Sequence, residues 1–234
     1  MTDVATTSTE GAHDAVDVDD HDQDRHSSLG LSNKKLAMWL FLGSEYLLFG
    51  ALISTYLLSK ANFIGGLVAG NSNLLETLPP ELVDDFIADD SVGALFNIPF
   101  TSVNSLILLT SSLTMVFAHK AVSEGDYKNT RVWLTATAAL GCTFIAGQVH
   151  EFTVFYREGL GYTGNLFGSA FYTLIGLHGF HVVIGILMLA TLLILASRDK
   201  LRQDRAETVE LVGLFWHFIN IVWVLIFAIV YLIP

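Results

Sequence analysis

The chain has few of the residues that form disulfides, bind nucleic acid or break helices. Cys142 is its single cysteine, which excludes an intrachain disulfide and a Cys-x-x-Cys metal site. The 12 basic residues are outnumbered by 23 acidic ones, and the formal charge of −11 argues against nucleic-acid binding. The four prolines lie between the long apolar segments or near their ends. Together with the lack of an internal repeat, this argues against the broken helices of secondary transporters.

The first thirty residues lack an apolar core of the kind that a signal peptide needs. They are rich in Asp, Thr, Ser and His, and such a composition cannot bury enough apolar surface to fold. We therefore expect residues 1–32 to form a disordered acidic tail on the cytoplasmic side of a membrane.

Apolar sequence, in contrast, is abundant. Hydrophobic residues make up 52% of the chain, and its mean hydropathy is +0.53. The excess lies in five segments of bilayer-spanning length, at about 36–59, 97–118, 132–156, 166–197 and 209–233. The sequence therefore predicts an all-α polytopic membrane protein, in which residues 33–234 form a bundle of five transmembrane helices.

The basic residues are distributed unevenly around these segments, and their distribution predicts the orientation of the bundle. Ten of the 12 precede the first segment, or lie between the second and third or between the fourth and fifth segments. Only Lys60 and Arg157 lie on the opposite side. The N-terminus is therefore predicted in the cytoplasm, with the C-terminus and the 60–96 loop outside.

Glu45 is the most informative single residue in the apolar segments. It follows Lys35 by ten residues, which corresponds to about 15 Å of helix and thus to the middle of the hydrocarbon core. An ionisable side chain at that depth is costly, so by default it has a function or at least faces protein. We expect Glu45 to face a neighbouring helix, near His217 or near the face that carries His178 and His181.

Other polar side chains in the apolar segments need partners too, because an unpaired polar group in lipid costs several kcal/mol. We group seven residues as a predicted polar seam between helices: Glu45, Gln148, Glu151, His178, His181, His217 and Asn220. His178 and His181 are three residues apart and so share a helix face. The carboxylates of Glu45 and Glu151 are the candidate acceptors for these histidines.

Small residues on the fourth segment would allow the helices on either side of this seam to pack closely. Gly176, Gly179 and Gly185 would let another helix approach closely. Three hypotheses for the seam stay open at this point: structural hydrogen bonds, a proton relay, and a metal or haem site. Two histidines at this spacing can ligate a metal, but no cluster of Cys or Met favours copper.

Several short motifs occur in an order that is informative as a whole. They are Ser44-Glu45 with Leu47-Leu48-Phe49, Pro99 with Asn104-Ser105, Ala118-His119, Glu124-Gly125-Asp126, Gln148 with Glu151, Gly168-Ser169 with Phe171, the block Gly176-x-His178-Gly179-x-His181-Val182-x-x-Gly185, and Trp216-His217-Phe218 with Val222-Trp223. In this order they resemble subunit III of the haem–copper oxidases, the family of cytochrome c and quinol oxidases. The resemblance runs from Lys35 to Pro234.

The resemblance implies an accessory core subunit of a respiratory terminal oxidase in the cell membrane of a prokaryote. In that family subunits I and II carry the haems and copper and reduce oxygen to water while protons are pumped. Subunit III packs mainly against subunit I, supports assembly and proton uptake, and protects the active site during turnover. It carries no redox centre, so we predict no bound haem or metal here, while bound phospholipid stays open. Glu45 occupies the position of the family's carbodiimide-reactive carboxylate.

The chain departs from the longer family members in two ways. They have seven spans, and this chain resembles the shorter forms that lack the first two, which leaves its lipid contacts open. Ile219-Asn220 stands where the family often has Val-Asp, so one buried acid is missing. The alternatives are a stand-alone proton-coupled transporter, a dihaem anchor for a dehydrogenase, and a subunit III-like component of a nitric oxide reductase system.

Overall fold

The described part of the chain is helical almost throughout. The computed structural model describes residues 32–68, 98–157, 162, 166–198 and 206–232. The elements are α1 (Asn33–Val68), α2 (Ile98–Ser123), α3 (Tyr127–Arg157), α4 (Leu166–Ser197) and α5 (Ala206–Phe227), with a π-helical turn (Ala228–Leu232) continuing α5. All five α-helices are long and apolar enough to cross a membrane, which confirms the predicted all-α architecture. The acidic tail lies outside the described residues except for Ser32, and the orientation of the bundle stays a prediction.

The first helix is longer than its apolar segment. A span at 36–59 was predicted, with Lys60 beyond its end, but α1 continues to Val68 and Lys60 is only 5% exposed. The aliphatic stem of a lysine can pack along apolar surface, so one lysine does not end a helix. The assignment of Lys60 to an external loop was therefore wrong.

A tight turn around Gly125 joins α2 to α3. Gly125 has a φ of 76°, a conformation that costs glycine little because it has no Cβ. The amide of Gly125 donates to the carbonyl of Val122 at 3.0 Å, and that of Asp126 donates to Ala121 at 2.9 Å. These two bonds close the end of α2. The Asp126 carboxylate then accepts from the amide of Asn129 at 3.1 Å, capping α3.

The helices differ in how deeply they are buried. α5 is the most buried of the five and α1 the least. α5 packs against α1, α2 and α4, whereas α1 contacts only α4 and α5 closely. The buried face of α1 consists of four residues seven positions apart, Leu42, Phe49, Tyr56 and Phe63, together with the polar residues Ser59 and Lys60. The opposite face of α1 is exposed, for example at Leu47, so it faces lipid or another subunit.

α2 and α5 run antiparallel and are joined by side chains in a regular register. We call this interface the α2–α5 ladder. Its layers are Ser105 with Trp223, Ser111 with Trp216, Ser112 with His217, and Met115 with Gly213. Along the interface the residue number on α2 rises as the number on α5 falls, and the two always add up to about 328. The register between the two helices is therefore constant.

Trp216 is the most tightly enclosed member of this ladder. A Cβ placed on Gly141 of α3 would lie 2.7 Å from its indole, and one on Gly185 of α4 would lie 2.8 Å from it. The two glycines therefore make room for the indole between three helices. Its Nε1–H donates to the hydroxyl of Ser111 at 3.0 Å, which satisfies the one polar atom of a side chain that is 1% exposed.

Candidate functional site

Glu45 and His181 form a pair between α1 and α4. The Oε2 atom of Glu45 lies 3.1 Å from Nε2 of His181, and the side chains are only 15% and 9% exposed. The other ring nitrogen, Nδ1, lies 2.8 Å from the carbonyl oxygen of Leu177, one turn earlier on α4. The prediction that Glu45 contacts a histidine on another helix is confirmed, and the histidine is His181 rather than His217.

The hydrogen bonds around His181 restrict the protonation of this pair. The carbonyl of Leu177 can only accept, so Nδ1 carries a proton. Nε2 then either donates to a Glu45 carboxylate, as an imidazolium, or accepts from a protonated Glu45, as a neutral imidazole. Both arrangements hold the same number of protons and have no net charge.

Aromatic rings cover the pair on the side of α5 and along α1. The ring of Phe49 lies 5.3 Å from that of His181 with its edge toward the face, and the ring of Phe215 lies 6.4 Å away. Tyr46, next to Glu45, makes an edge contact with Phe218 at 4.9 Å. These contacts exclude water and strengthen the electrostatic attraction between carboxyl and imidazole.

His178 has different neighbours from His181, although the two histidines are three residues apart. His178 is fully buried, and its Nε2 lies 3.3 Å from the carbonyl oxygen of Ile219. Its ring lies 4.8 Å from that of Trp223 and 5.9 Å from that of Phe144. His178 thus faces the interior between α3 and α5, whereas His181 faces α1. Of the two histidines on the predicted shared face, His181 meets the candidate acceptor Glu45, and His178 meets a backbone carbonyl.

The polar residues of α3 bind other helices and not histidines. The Gln148 amide donates to the carbonyl of Ile175 on α4 at 3.4 Å. Glu151 accepts a hydrogen bond from the hydroxyl of Thr101 on α2, and it also hydrogen-bonds the Tyr231 side chain beyond α5. Glu151 was expected to accept from a histidine, and this was wrong because its hydrogen-bond partners are the Thr101 hydroxyl and the Tyr231 side chain.

The remaining seam residues lie on α5. Nδ1 of His217 is 2.6 Å from the hydroxyl oxygen of Ser112, within the α2–α5 ladder. Asn220 is 3% exposed, and neither atom of its amide group has a hydrogen-bond partner among the described residues. The seven residues therefore do not form one continuous seam. They divide into a pair between α1 and α4 and a separate set of residues in the interior formed by α2, α3, α4 and α5.

The glycines of α4 differ in what they accommodate. Gly185 makes room for Trp216, and a Cβ at Gly179 would lie 3.4 Å from the Gln148 side chain. Nothing lies within 4 Å of a Cβ at Gly176, so its prediction as a close-packing position was wrong.

Two close-packing glycines on α3 were missed from the sequence, Gly141 and Gly147. A Cβ at Gly147 would lie 2.7 Å from the Asn104 side chain, and the Asn104 amide donates to the Phe144 carbonyl at 3.1 Å. A polar residue such as Asn104 in an apolar segment signals that a close partner is needed, although it does not say where.

No three of the His, Cys, Asp and Glu side chains in the described ranges come together as a potential metal site. The prediction that this chain binds neither metal nor haem stays a prediction. What the site offers is one buried acid–base pair and a ladder of interhelical hydrogen bonds.

Comparison with known proteins assigns this arrangement to a family. The family model described as cytochrome c oxidase subunit III matches residues 12–233. The chain belongs to the cytochrome c oxidase subunit III family. It is 37% identical over 209 residues to cytochrome c oxidase subunit 3 of Bacillus sp. strain PS3, covering 89% of this chain and 90% of that one. It is 31% identical over 197 residues to quinol oxidase subunit 3 of Bacillus subtilis, covering 84% and 85%.

A third relative, cytochrome bo(3) ubiquinol oxidase subunit 3 of Pseudomonas putida, is 30% identical over 198 residues, covering 85% of this chain and 84% of that one. The subunit III prediction is therefore confirmed, in preference to the transporter and the dihaem anchor. The chain is a multi-pass protein of a prokaryotic plasma membrane and part of a multisubunit haem–copper oxidase complex. The quoted motifs lie on the described helices, except for Glu124-Gly125-Asp126, which forms the turn between α2 and α3.

Proposed function

We propose that this subunit III is a non-catalytic accessory subunit that stabilises the oxidase by packing against subunit I, its main contact, and against subunit II. In this proposal the haems and copper are held by those partner subunits, and this chain holds no redox centre. The N-terminus faces the cytoplasm, where the subunit supports proton uptake by subunit I. The bound groups, if any, are phospholipids.

The Glu45–His181 pair carries the structural part of this proposal. α1 is the least buried helix, and the pair joins it to α4 by a hydrogen bond between side chains. A subunit that docks on larger partners must keep its own helices in register, and an interhelical hydrogen bond in lipid serves that purpose. The hydrogen bond gives the Glu45 carboxyl group a partner within the bundle.

Ion pairs at the end of the bundle support the same role for α1. The Lys35 Nζ atom lies 2.8 Å from a Glu210 carboxylate oxygen, and Lys34 lies 3.9 Å from Glu207. The Ser32 hydroxyl also donates to Glu207. These contacts fix the start of α1 to the start of α5, so the helix is held both at its end and at mid-depth.

The proposal that this chain holds no redox centre rests on the contacts that three histidines in its helices already make. His178 lies against the Ile219 carbonyl, His181 against Glu45 and Leu177, and His217 against Ser112. Each imidazole thus serves a contact between or within helices of this chain. Axial haem ligation would require two of them to leave these partners and face one another across a cofactor.

A purification experiment tests this proposal. The tagged chain is extracted in mild detergent, its partners are identified by mass spectrometry, and a reduced-minus-oxidised spectrum is recorded. We expect haem-bearing subunit I to co-purify, and the chain to be colourless after it is stripped from the complex. A chain that purifies alone and coloured would show that its histidines ligate haem. One that purifies alone and colourless would contradict the accessory role.

A turnover assay tests the stabilising role itself. Oxidase depleted of this subunit is compared with the intact complex for oxygen consumption over time. We expect similar initial rates and a faster loss of activity during turnover in the depleted enzyme. Equal lifetimes would contradict the proposed protection of the active site.

A further inference from the structure

Asn220 is a buried amide without a hydrogen-bond partner in the described part of the chain. It lies in the middle of α5 and is 3% exposed, and both Oδ1 and Nδ2 lack hydrogen bonds within the described ranges. An amide desolvated in this way is costly, and buried polar groups in proteins almost always have a partner, which is often an ordered water. Asn220 therefore requires a ligand that can both donate and accept.

The register of the α2–α5 ladder explains why the facing helix cannot supply one. The Trp223 indole donates to Ser105 at 2.9 Å on one side of Asn220, and the Trp216 indole donates to Ser111 at 3.0 Å on the other. The constant register between these layers places Leu108 opposite Asn220. A leucine side chain has no polar atom, so the layer of Asn220 has no hydrogen-bonding group on α2.

The side chains of the two indole layers have no free protons for Oδ1 of Asn220. The Ser105 hydroxyl donates to the Thr101 carbonyl at 2.7 Å, and the Ser111 hydroxyl donates to the Leu108 carbonyl at 2.5 Å. Both indole N–H groups are used as well, and each carries only one proton. The donor that Asn220 Oδ1 needs must therefore come from outside these side chains.

A pocket lies in the same interface, two turns from Asn220 toward the start of α5. It has a volume of about 130 Å³. Its polar lining consists of His119, Glu210 and His217, and its apolar lining includes Met115 and Gly213. At about 30 Å³ for each water, this volume has room for roughly four waters.

The pocket and the buried amide lie along one line of α5. Gly213 and Asn220 are seven residues apart, so they occupy nearly the same angular position on the helix, and Met115 and Leu108 correspond to them on α2. His217 lies between the two layers, with its Nδ1 on Ser112. The polar groups of the pocket thus lead from the end of the bundle toward Asn220 along a single helix–helix interface.

We propose that water occupies this pocket and extends along the α2–α5 interface to a bound water at Asn220. That water donates to Oδ1 and accepts from Nδ2. Water fits the site better than an ion, because Asn220 is neutral and the register places an uncharged residue, Leu108, opposite it. It fits better than a lipid chain, because a hydrocarbon would leave both amide atoms unpaired. The inference does not depend on the accessory role proposed above.

The test is a structure of the complete oxidase at a resolution at which ordered waters are visible. We expect water density within about 3 Å of Asn220 Oδ1 or Nδ2 and further density in the pocket near His217. A map that resolves waters elsewhere in subunit III but none at Asn220 would overturn the proposal. Density for a lipid chain or a partner side chain at that position would overturn it too.

A second measurement uses Asn220→Leu, with Ile221→Leu on the exposed side of α5 as the matched control. If the amide were dry, replacing it by leucine would raise the melting temperature of subunit III in the complex. If water satisfies the amide, the substitution leaves the melting temperature unchanged or lowers it. A clear rise in Asn220→Leu, absent in Ile221→Leu, would contradict the proposal.

Discussion

Removal of the Glu45 carboxyl group is the most direct perturbation of how α1 is held. Glu45→Ala leaves Nε2 of His181 buried without a partner, since the His181 side chain is only 9% exposed. An unsatisfied buried group of this kind costs about 1–3 kcal/mol. Interhelical hydrogen bonds in membranes are weaker on average, about 0.6 kcal/mol, because the unfolded chain also finds partners in lipid. We therefore expect a loss of about 1–2 kcal/mol in Glu45→Ala.

Glu45→Gln is the matched variant that separates charge from hydrogen bonding. The glutamine amide can donate to Nε2 of a neutral His181, whose Nδ1 continues to donate to Leu177. The volume and the hydrogen bond both persist, so we expect Glu45→Gln to lose less than about 0.5 kcal/mol, in the range of a surface substitution. Leu47→Ala, at a position on α1 that is 78% exposed, controls for the general effect of shortening a side chain.

The assay is unfolding of the subunit in mixed micelles, together with the subunit stoichiometry of the purified complex. A double-mutant cycle with His181→Ala isolates the pairwise energy, which we expect at about 0.5–1.5 kcal/mol. If Glu45→Gln and Glu45→Ala were equally destabilised, the charge itself would be required. If the coupling energy were zero, the pair would not hold α1, and the structural argument for its role would fail.

Two further predictions concern packing and charge. Gly185→Ala places a Cβ 2.8 Å from the Trp216 indole, which cannot move freely, so we expect a loss of about 1–3 kcal/mol in thermal unfolding. In Gly176→Ala the new Cβ has no atom within 4 Å, so we expect the variant to be neutral or stabilised by up to about 1 kcal/mol. Equal losses in Gly185→Ala and Gly176→Ala would refute the packing argument. Lys35→Ala removes the ion pair with Glu210, whose side chains are 29% and 37% exposed, so we expect at most about 1 kcal/mol. That loss should shrink in high salt, and a loss that salt leaves unchanged would show that packing of the lysine stem dominates.

Much of the architecture follows from the sequence because the bilayer restricts which backbone structures can cross it. Backbone polar groups in lipid must be satisfied within the segment, so a long apolar run that crosses the membrane has to be helical. The turn at Gly125 was also predictable, since glycine followed by Asp126 is a local signal for ending one helix and capping the next. Both predictions depend only on residues close together in the chain.

The extent of α1 shows where such local signals fail. Hydropathy reports the end of an apolar run, at Ser59, but a helix ends where its hydrogen bonds end. Lys60 lies inside α1 and is 5% exposed, which depends on the apolar surface that the neighbouring helices present to it. No property of the α1 sequence alone specifies that surface.

The sequence by itself determined that Glu45, at mid-membrane, must have a partner, because a lone carboxyl group there is too costly. It did not determine which histidine, since each residue turns a helix by about 100° and the rotation of every helix is set by its neighbours. His178 and His181 are three residues apart and so lie on the same side of α4. His178 nevertheless meets the Ile219 carbonyl, whereas His181 meets Glu45. Asn220 is a second residue whose surroundings the sequence did not determine. Only the antiparallel register of α2 and α5, fixed by large indoles against small serines and glycines, places Leu108 across from it.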